Sequence, residues 1–580
     1  MTLAFQGIGI ASSCSVAIGP AFIDLRGQSG ASHAAIDADQ VEREIARFDL
    51  AVAAAHASVQ NVRAQIPATT PFKIAELLDA HLLMLEDTAL VEEVRRIVAD
   101  ELCSAEWALQ LHRDTLVEVF DQMDDPYLRT RRDDIEHVVQ QIQAYLRGEG
   151  AQQPLEAQDL NGVVVVARDL TPADTILLRH RGAAAFVTEF GGPMSHTAIL
   201  ARSLAVPAVM GVHEITRYLR PGEQLVVDGE TGTVLAKADD STLEYYRQRL
   251  RAIEARQRRL RGIAHRPTHT RDGVSVSLQA NLELPEDVEI ARGNGAAGVG
   301  LYRTEFLYMS RADLPDEEEH LATYTAMIED LDGIPITIRT LDLGVDKRAD
   351  GLTACGSAAC NPALGLRAIR LCLKEPALFR PQLRAILRAS AVGPVRLMLP
   401  LVTNVEELDT VLALIEELKH QLHQQGLPYD DALPVGAMIE VPAAALSARA
   451  IAKRMDFLSI GTNDLVQYTL AVDRLDDSVN YLFDPMHPAI LRLIRMTIEA
   501  ANSADIPVSM CGEMAGDTQF TRLLLGMGLR ELSMQPGALL DVKELILQAD
   551  TQDLRRRVAQ LFTHLDETSP ARLLDALNQA

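Results

Sequence analysis

Cysteine, tryptophan, positive charge and long apolar runs are what this chain has little of. Its 580 residues include six cysteines and one tryptophan, and aromatic residues make up only 4%. Cys14, Cys103, Cys355, Cys360, Cys372 and Cys511 form no paired metal-binding spacing, so neither a disulfide framework nor a cysteine-based metal site organises the fold, and free thiols are expected. No stretch approaches the roughly 20 apolar residues of a membrane span. The opening MTLAFQGIGIASSCS has no basic segment followed by a long apolar core, and a cytoplasmic protein without membrane insertion is expected. Lysine and arginine number 55 against 81 acidic residues, a net charge of −26; this disfavours nucleic acid as the main partner and suits a neutral or basic protein. A GxxxxGK[ST] loop is also missing, which makes ATP a poor candidate for substrate.

What is present is folded and modular. Residues of the apolar class make up 48% of the chain, and a chain of this length exceeds what one core can organise. Residues 1–22 read as strand. From about Ile36 to Arg147 the pattern is amphipathic helix, exemplified by FKIAELLDAHLLMLEDTALVEEVRRIVADEL, with an excess of acids that suits either a docking module or a plain structural bundle. After the linker GEGAQQPLEAQDLNG, the segments GVVVVARDL, TPADTILLRHR, AAAFVTEF, HTAILARSL, VPAVMGV and EQLVVDGETGTVLA alternate strand and helix, as a compact α/β domain does. Residues 240–262 read as a charged, exposed helix.

Within the α/β segment, GGPMSHTAILARS places His196 behind a Gly-Gly-Pro turn and at the start of a helix. Unpaired backbone N–H groups and the positive end of the helix dipole favour a bound anion there. Such a position suits a histidine that holds a phosphoryl group, and equally a surface or capping histidine.

The C-terminal half is the most regular. VSVSLQANL, AAGVGLYR, IPITIRTLD, VRLMLPLV, PVGAMIEV, DFLSIGTND, IPVSMCGE and RELSMQP are eight short apolar strands separated by helical stretches, the pattern of a (β/α)₈ barrel. Asn281, Arg303 with Glu305, Arg339 with Asp342, Glu440, Asn463 with Asp464, and Cys511 with Glu513 fall at strand ends, where such barrels place their active sites. Arginines offer bidentate clamps for phosphate or carboxylate. Glu440 and Asp464 are hard oxygen ligands suited to Mg²⁺, and Cys511 is placed to act either as a proton donor or as a small buried hydrophobe.

The motifs GGPMSHTAILARS, GVGLYRTEFLYMSR, IRTLDLGVDK, NPALGLRAIR, GAMIEVP, SIGTNDLVQYTLAVDR and CGEMAGD resemble those of the phosphoenolpyruvate-protein phosphotransferase family, enzyme I of the bacterial sugar phosphotransferase system, over essentially the whole chain. The resemblance implies a multidomain α/β protein: a phosphohistidine domain over residues 1–22 and 150–238, an inserted all-α docking domain over 23–149, a linker helix over 239–262, and a phosphoenolpyruvate-binding barrel over 263–580. It implies that His196 is the phosphoryl-accepting nucleophile and Cys511 the acid that protonates the enolate. Arg303, Arg339, Asn463 and Arg474 would hold phosphate and carboxylate, with Lys347 and Arg367 adding positive charge. Glu440 and Asp464 would ligate Mg²⁺, and Thr175 and Ser195 would support the histidine. Phosphoenolpyruvate, pyruvate and the small histidine carrier HPr, or an HPr-like carrier, are the implied partners, in a homodimer formed through the barrel.

Three places depart from the family pattern: Met194 where threonine is usual, Val345 where a small residue is usual, and an opening ASSCSVAIGP without Ser-Pro-Gly. The charged positions are all retained, so activity is expected. A dikinase or phosphoenolpyruvate synthase would need an ATP domain, and an enzyme I paralogue of the nitrogen-regulatory type would usually carry an N-terminal sensor. A non-catalytic regulator would have only Met194 and Val345 in its favour.

Overall fold

The structure is a computed structural model, and it describes residues 2–10, 15–24, 34–65, 72–121, 126–148, 160–170, 172–192, 196–203, 206–283, 287–308, 313–343, 362–474 and 479–579. The chain divides into two compact units, Met1–Arg256 and Gln257–Ala580.

In the first unit the opening segment forms three strands: β1 (Leu3–Gln6), β2 (Ile8–Ile10) and β3 (Val16–Asp24). Among the described residues, five α-helices follow: α1 (Val41–Gln65), α2 (Phe72–Leu85), α3 (Thr88–Glu101), α4 (Ala105–Asp121) and α5 (Pro126–Leu146). Their apolar faces meet around Phe48, Ala55, Val59, Leu78, Val98, Leu109 and Ile142. Arg47 ties three parts of this set together, bonding Glu44 at 2.6 Å, Glu106 at 2.5 Å and the Leu146 carbonyl at 2.8 Å.

The chain then returns to the sheet through β4 (Val164–Ala167), α6 (Pro172–His180), β5 (Ala185–Thr188), α7 (His196–Ser203), β6 (Ala208–Met210), β7 (Gln224–Asp228) and β8 (Thr233–Ala236). The sheet order is β1-β8-β7-β3-β4-β5-β6-β2. Strands β3, β4, β5 and β6 are parallel, joined after β4 by the crossover helices α6 and α7, while β2, β7, β8 and β1 pair antiparallel. The segment EQLVVDGETGTVLA forms the β7–β8 hairpin, and the opening segment supplies strands at both edges and in the centre.

Helices α6 and α7 are buried on two sides, which explains their apolar sequences. Ala198 and Ala201 of α7 pack on the sheet with Phe186 and Ala208, whereas Leu200 of α7 and Ile176 of α6 join the core of the five-helix set. Helix α8 (Asp240–Ile263) starts on an Asp239 cap that accepts the Thr242 N–H at 2.8 Å. Leu243, Tyr246 and Ile253 pack against Val16, Val226 and Leu235 of the first unit.

In the second unit eight parallel strands close a barrel: β9 (Ser277–Leu282), β10 (Gly298–Tyr302), β11 (Ile336–Arg339), β12 (Val395–Leu399), β13 (Val435–Ile439), β14 (Phe457–Ile460), β15 (Val508–Met510) and β16 (Glu531–Met534). Closure comes from the pairing of β16 with β9. The strands alternate, so that Leu301, Met398, Met438, Phe457 and Cys511 form a small separate core, while Ala437, Ile439, Leu458 and Ile460 join the larger core that includes the surrounding helices. The barrel interior is filled by side chains and every strand is sealed on both faces. Function is thereby confined to the strand ends.

Candidate functional site

Strand β11 ends on Arg339, and its guanidinium lies buried at the barrel mouth. Arg339 Nη2 donates to Glu305 Oε1 and Nη1 to Asp342 Oδ2, both at 2.9 Å. Asp342 is also gripped by Arg367, whose Nη2 donates to its Oδ1 at 2.8 Å; the same nitrogen reaches Asp464 Oδ2 at 3.3 Å. Tyr468 completes this layer, accepting from Arg367 Nη1 at 3.2 Å while donating to the Ala363 carbonyl at 2.6 Å.

Glu440, just beyond β13, is buried and its Oε1 accepts the Leu401 N–H at 2.6 Å. Oxygen atoms of Asp342, Glu440 and Asp464 all lie within 4.8 Å of one another. Two glycines make this convergence possible. A Cβ on Gly461 would stand 2.8 Å from Glu440 Oε2, and one on Gly512 would stand 2.5 Å from the Thr462 backbone N; neither separation is sterically tolerable.

Electrostatics follow from this crowding. Burial raises the Glu440 carboxyl, Asp464 and Asp342 raise it further, and despite Arg339 it is pushed up to about 8. Burial works against the charge on Arg339, but Glu305, Asp342 and Glu440 outweigh it and hold the guanidinium above its ordinary value. Arg367 is likewise raised, burial being overcome by Asp342 and Asp464. Even so, Arg339 Nε is buried with no hydrogen-bond partner among the described residues. A buried cationic donor left unsatisfied costs free energy, and an incoming anion would relieve that cost.

Cys511 follows β15 and is buried. Its Sγ accepts from the Ser459 hydroxyl at 3.3 Å, and Ser459 Oγ accepts from Ser509 at 3.0 Å. Burial pushes the thiol up, more than Ser459, Arg339 and Arg303 pull it down. The thiol therefore keeps its proton at neutral pH.

The other expected residues take up varied positions. Asn281 donates to the Cys511 carbonyl at 2.9 Å, so the first and seventh strand tips are tied. Arg303 pairs with Glu283. Asn463 and Glu513 bond reciprocally, each contact at 2.9 Å. Arg474 is exposed beyond the helix Thr462–Leu470, with its N–H directed to Gln467 Oε1 at 3.4 Å. Lys347, Ser195, Met194, Val345 and residues 11–14 lie outside the described residues.

In the first unit, α7 begins at His196. The neighbouring Thr197 hydroxyl donates to the Leu170 carbonyl at 2.8 Å, fixing the first turn of α7 to the loop after β4, and Thr175 is fully buried in α6. Sequence reasoning passed over Tyr468, Ser459, Thr304 and Gln382. The last had a signal: it is the polar residue on the apolar face formed by Leu378, Phe379, Leu383 and Ile386.

Comparison with known proteins places these features in a family. Residues 257–551 match the phosphoenolpyruvate-binding domain of phosphoenolpyruvate-utilising enzymes, residues 8–131 match the N-terminal domain, and residues 160–232 match the mobile domain. A phosphoenolpyruvate-protein phosphotransferase of Cupriavidus necator is 44% identical over 585 residues, covering 100% of both chains. One from Geobacillus stearothermophilus is 41% identical over 92% of each. A solved solution structure of an Enzyme I (nEIt) protein covers 43% of this chain and 99% of its own, at 30% identity and a TM-score of 0.37.

Proposed function

Because the chain belongs to the phosphoenolpyruvate-protein phosphotransferases, enzymes that carry the phosphoryl group of phosphoenolpyruvate onto protein, we propose that His196 receives that group and passes it to a histidine of HPr or an HPr-like carrier, as the first step of a sugar phosphotransferase system. The observation that carries the substrate assignment is the buried Arg339 guanidinium, held above its ordinary value yet left with an unsatisfied Nε. It is a preorganised hydrogen-bond donor to a small, multiply charged anion.

The carboxylates fit a divalent cation. Both oxygens of Asp342 are engaged by arginines, and Glu440 Oε1 accepts the Leu401 N–H. That leaves Glu440 and Asp464 as hard oxygen ligands for Mg²⁺, with water and substrate oxygens making up the rest. A positive charge there also relieves the repulsion that raises Glu440. When bound, Mg²⁺ supplies positive charge to the oxygens of the substrate.

The residues of the chain do the remaining work. Arg303, Arg339, Arg367, Arg474, Lys347 and Asn463 hold phosphate and carboxylate in line for transfer, which is most of the catalysis in phosphoryl transfer. As the phosphorus–oxygen bond of phosphoenolpyruvate breaks, its electrons pass to the enolate oxygen and His196 Nε2 forms the new nitrogen–phosphorus bond. Cys511 gives its Sγ proton to the enolate methylene carbon, and pyruvate results. The phosphoryl group on His196 then lies at the N-terminus of α7, where backbone N–H groups favour it, with Thr175 and Ser195 in support.

Residues 1–22 with 150–238 act as the phosphohistidine domain, 23–149 as the carrier-docking domain, 239–262 as the linker helix and 263–580 as the barrel. Leu50 and Leu83 expose apolar surface on the acidic helical set, as a docking face requires. The enzyme works in the cytoplasm as a homodimer through its barrel. Coupled detection of pyruvate tests this reading: phosphoenolpyruvate and Mg²⁺ alone should yield a stoichiometric burst, and added HPr should be consumed in proportion to further pyruvate. Sustained pyruvate release without a carrier would identify a hydrolase instead.

A further inference from the structure

Behind the barrel mouth lies a polar chain buried in otherwise apolar surroundings. Gln382, on the helix Pro376–Ala389, is fully buried, as are Thr304, Tyr324 and His320, and Tyr308 is nearly so. Gln382 Oε1 accepts the Leu341 N–H at 3.0 Å; its Nε2 donates to Thr304 Oγ1 at 3.1 Å and to Tyr324 OH at 3.3 Å. Thr304 in turn donates to the Arg339 carbonyl at 3.1 Å. Tyr324 OH meets His320 Nδ1 at 3.0 Å, and His320 Nε2 meets Tyr308 OH at 3.1 Å.

The polarity of this chain is determined by its two backbone contacts. Leu341 N–H can only donate, so the Gln382 oxygen faces it and the amide nitrogen faces Thr304 and Tyr324. The Arg339 carbonyl can only accept, so the Thr304 proton points to it and the Thr304 oxygen accepts from Gln382. Tyr324, receiving a proton from Gln382, spends its own on His320 Nδ1; His320 then carries its proton on Nε2 and donates to Tyr308. Every link has one donor and one acceptor, and reversing the Gln382 amide would set two donors against each other at Leu341.

The position of this network gives it a role. Thr304 stands between Arg303 and Glu305 at the tip of β10, and Leu341 stands between Arg339 and Asp342 at the tip of β11. One side-chain amide thus grips both tips. We infer that Gln382 and Thr304 are positioning residues: they set the relative placement of the Arg303–Glu305 and Arg339–Asp342 segments, and so aim the Arg339 guanidinium. The inference rests on the proposed role of Arg339 in holding phosphoenolpyruvate. Burying so many polar groups in a hydrophobic shell is tolerable only when all are satisfied, and their fixed geometry gives the loops rigidity that apolar contacts alone would not.

Steady-state kinetics of phosphoenolpyruvate-dependent phosphorylation of HPr tests it. Thr304→Val keeps the shape of threonine but removes the bond to the Arg339 carbonyl. Its kcat should fall at least about tenfold, with KM changed less than about threefold, because misaim of a transferring group costs rate. Thr304→Ser restores the hydroxyl and should return kcat to within about threefold of wild type. Gln382→Met matches the side chain in length but removes the acceptor for Leu341 N–H and both donors, and should resemble Thr304→Val; it carries the test if that variant does not fold. Wild-type kcat in Thr304→Val or in Gln382→Met, or a Thr304→Ser variant as slow as Thr304→Val, would overturn the inference. Failure of the underlying reading shows separately, as an Arg339→Lys variant with unchanged kcat and KM.

Discussion

Replacing Glu440 by glutamine separates the electrostatic cost of the site from its shape. The amide retains an oxygen for the Leu401 N–H, which donates to Glu440 Oε1 at 2.6 Å, and removes the ionisable group. In the folded protein without metal, burial and the Asp464 and Asp342 carboxylates raise Glu440 from 4.5 to about 8. That displacement corresponds to about 5 kcal/mol between fully protonated and fully ionised forms. A carboxyl raised on folding binds more protons folded than unfolded, so its contribution to stability is complete below pH 4.5 and is lost as pH rises through 8. Between pH 6 and pH 9 the wild type should therefore lose about 3 kcal/mol relative to Glu440→Gln. Urea unfolding followed by far-ultraviolet circular dichroism, with a chelator present, measures the gap at each pH. A gap constant across that range, or one that shrinks as pH rises, would refute the electrostatic account of the site.

Three further outcomes follow from the same geometry. Cys511→Ser replaces a buried thiol, held protonated by its surroundings, with a much weaker acid; pyruvate formation in a rapid-quench assay should slow by about 10²-fold or more, and a change under twofold would remove Cys511 from the reaction. Gly512→Ala drives a Cβ to 2.5 Å from the Thr462 backbone N, displacing the start of the helix that bears Asp464; a loss of about 1–3 kcal/mol in stability together with weakened Mg²⁺ binding by titration calorimetry is expected. Chelation should abolish phosphoryl transfer, and Mg²⁺ should restore it better than Ca²⁺, because two carboxylates and substrate oxygens suit compact octahedral coordination. Equal rescue by Ca²⁺ would contradict that ligand count.

The barrel was legible in the sequence because each strand is a short apolar run with a polar residue just past its end, and burial on both faces demands that composition. The same feature exposed Arg339, Asp342, Glu440, Asp464 and Cys511 as neighbours. Less legible was the opening segment, which reads as one strand-like piece, whereas β1, β2 and β3 pair with β8, β6, and β7 and β4 respectively. Such long-range pairing leaves no local signature. Asp342 read as one more strand-tip acid, but its role as the clamp between Arg339 and Arg367 depends on a contact with a residue 25 positions away. Thr304 and Gln382 escaped notice for the same reason, since their partners are 35 and 41 positions distant.

The central claim is that His196, at the start of α7, carries phosphate taken from phosphoenolpyruvate at the barrel mouth. Incubation with radiolabelled phosphoenolpyruvate and Mg²⁺, in wild type and in His196→Ala, tests it most directly. Label that is acid-labile, alkali-stable and lost in the variant is the result the account predicts. Label retained in His196→Ala, or absent from a wild type that binds phosphoenolpyruvate, would contradict it.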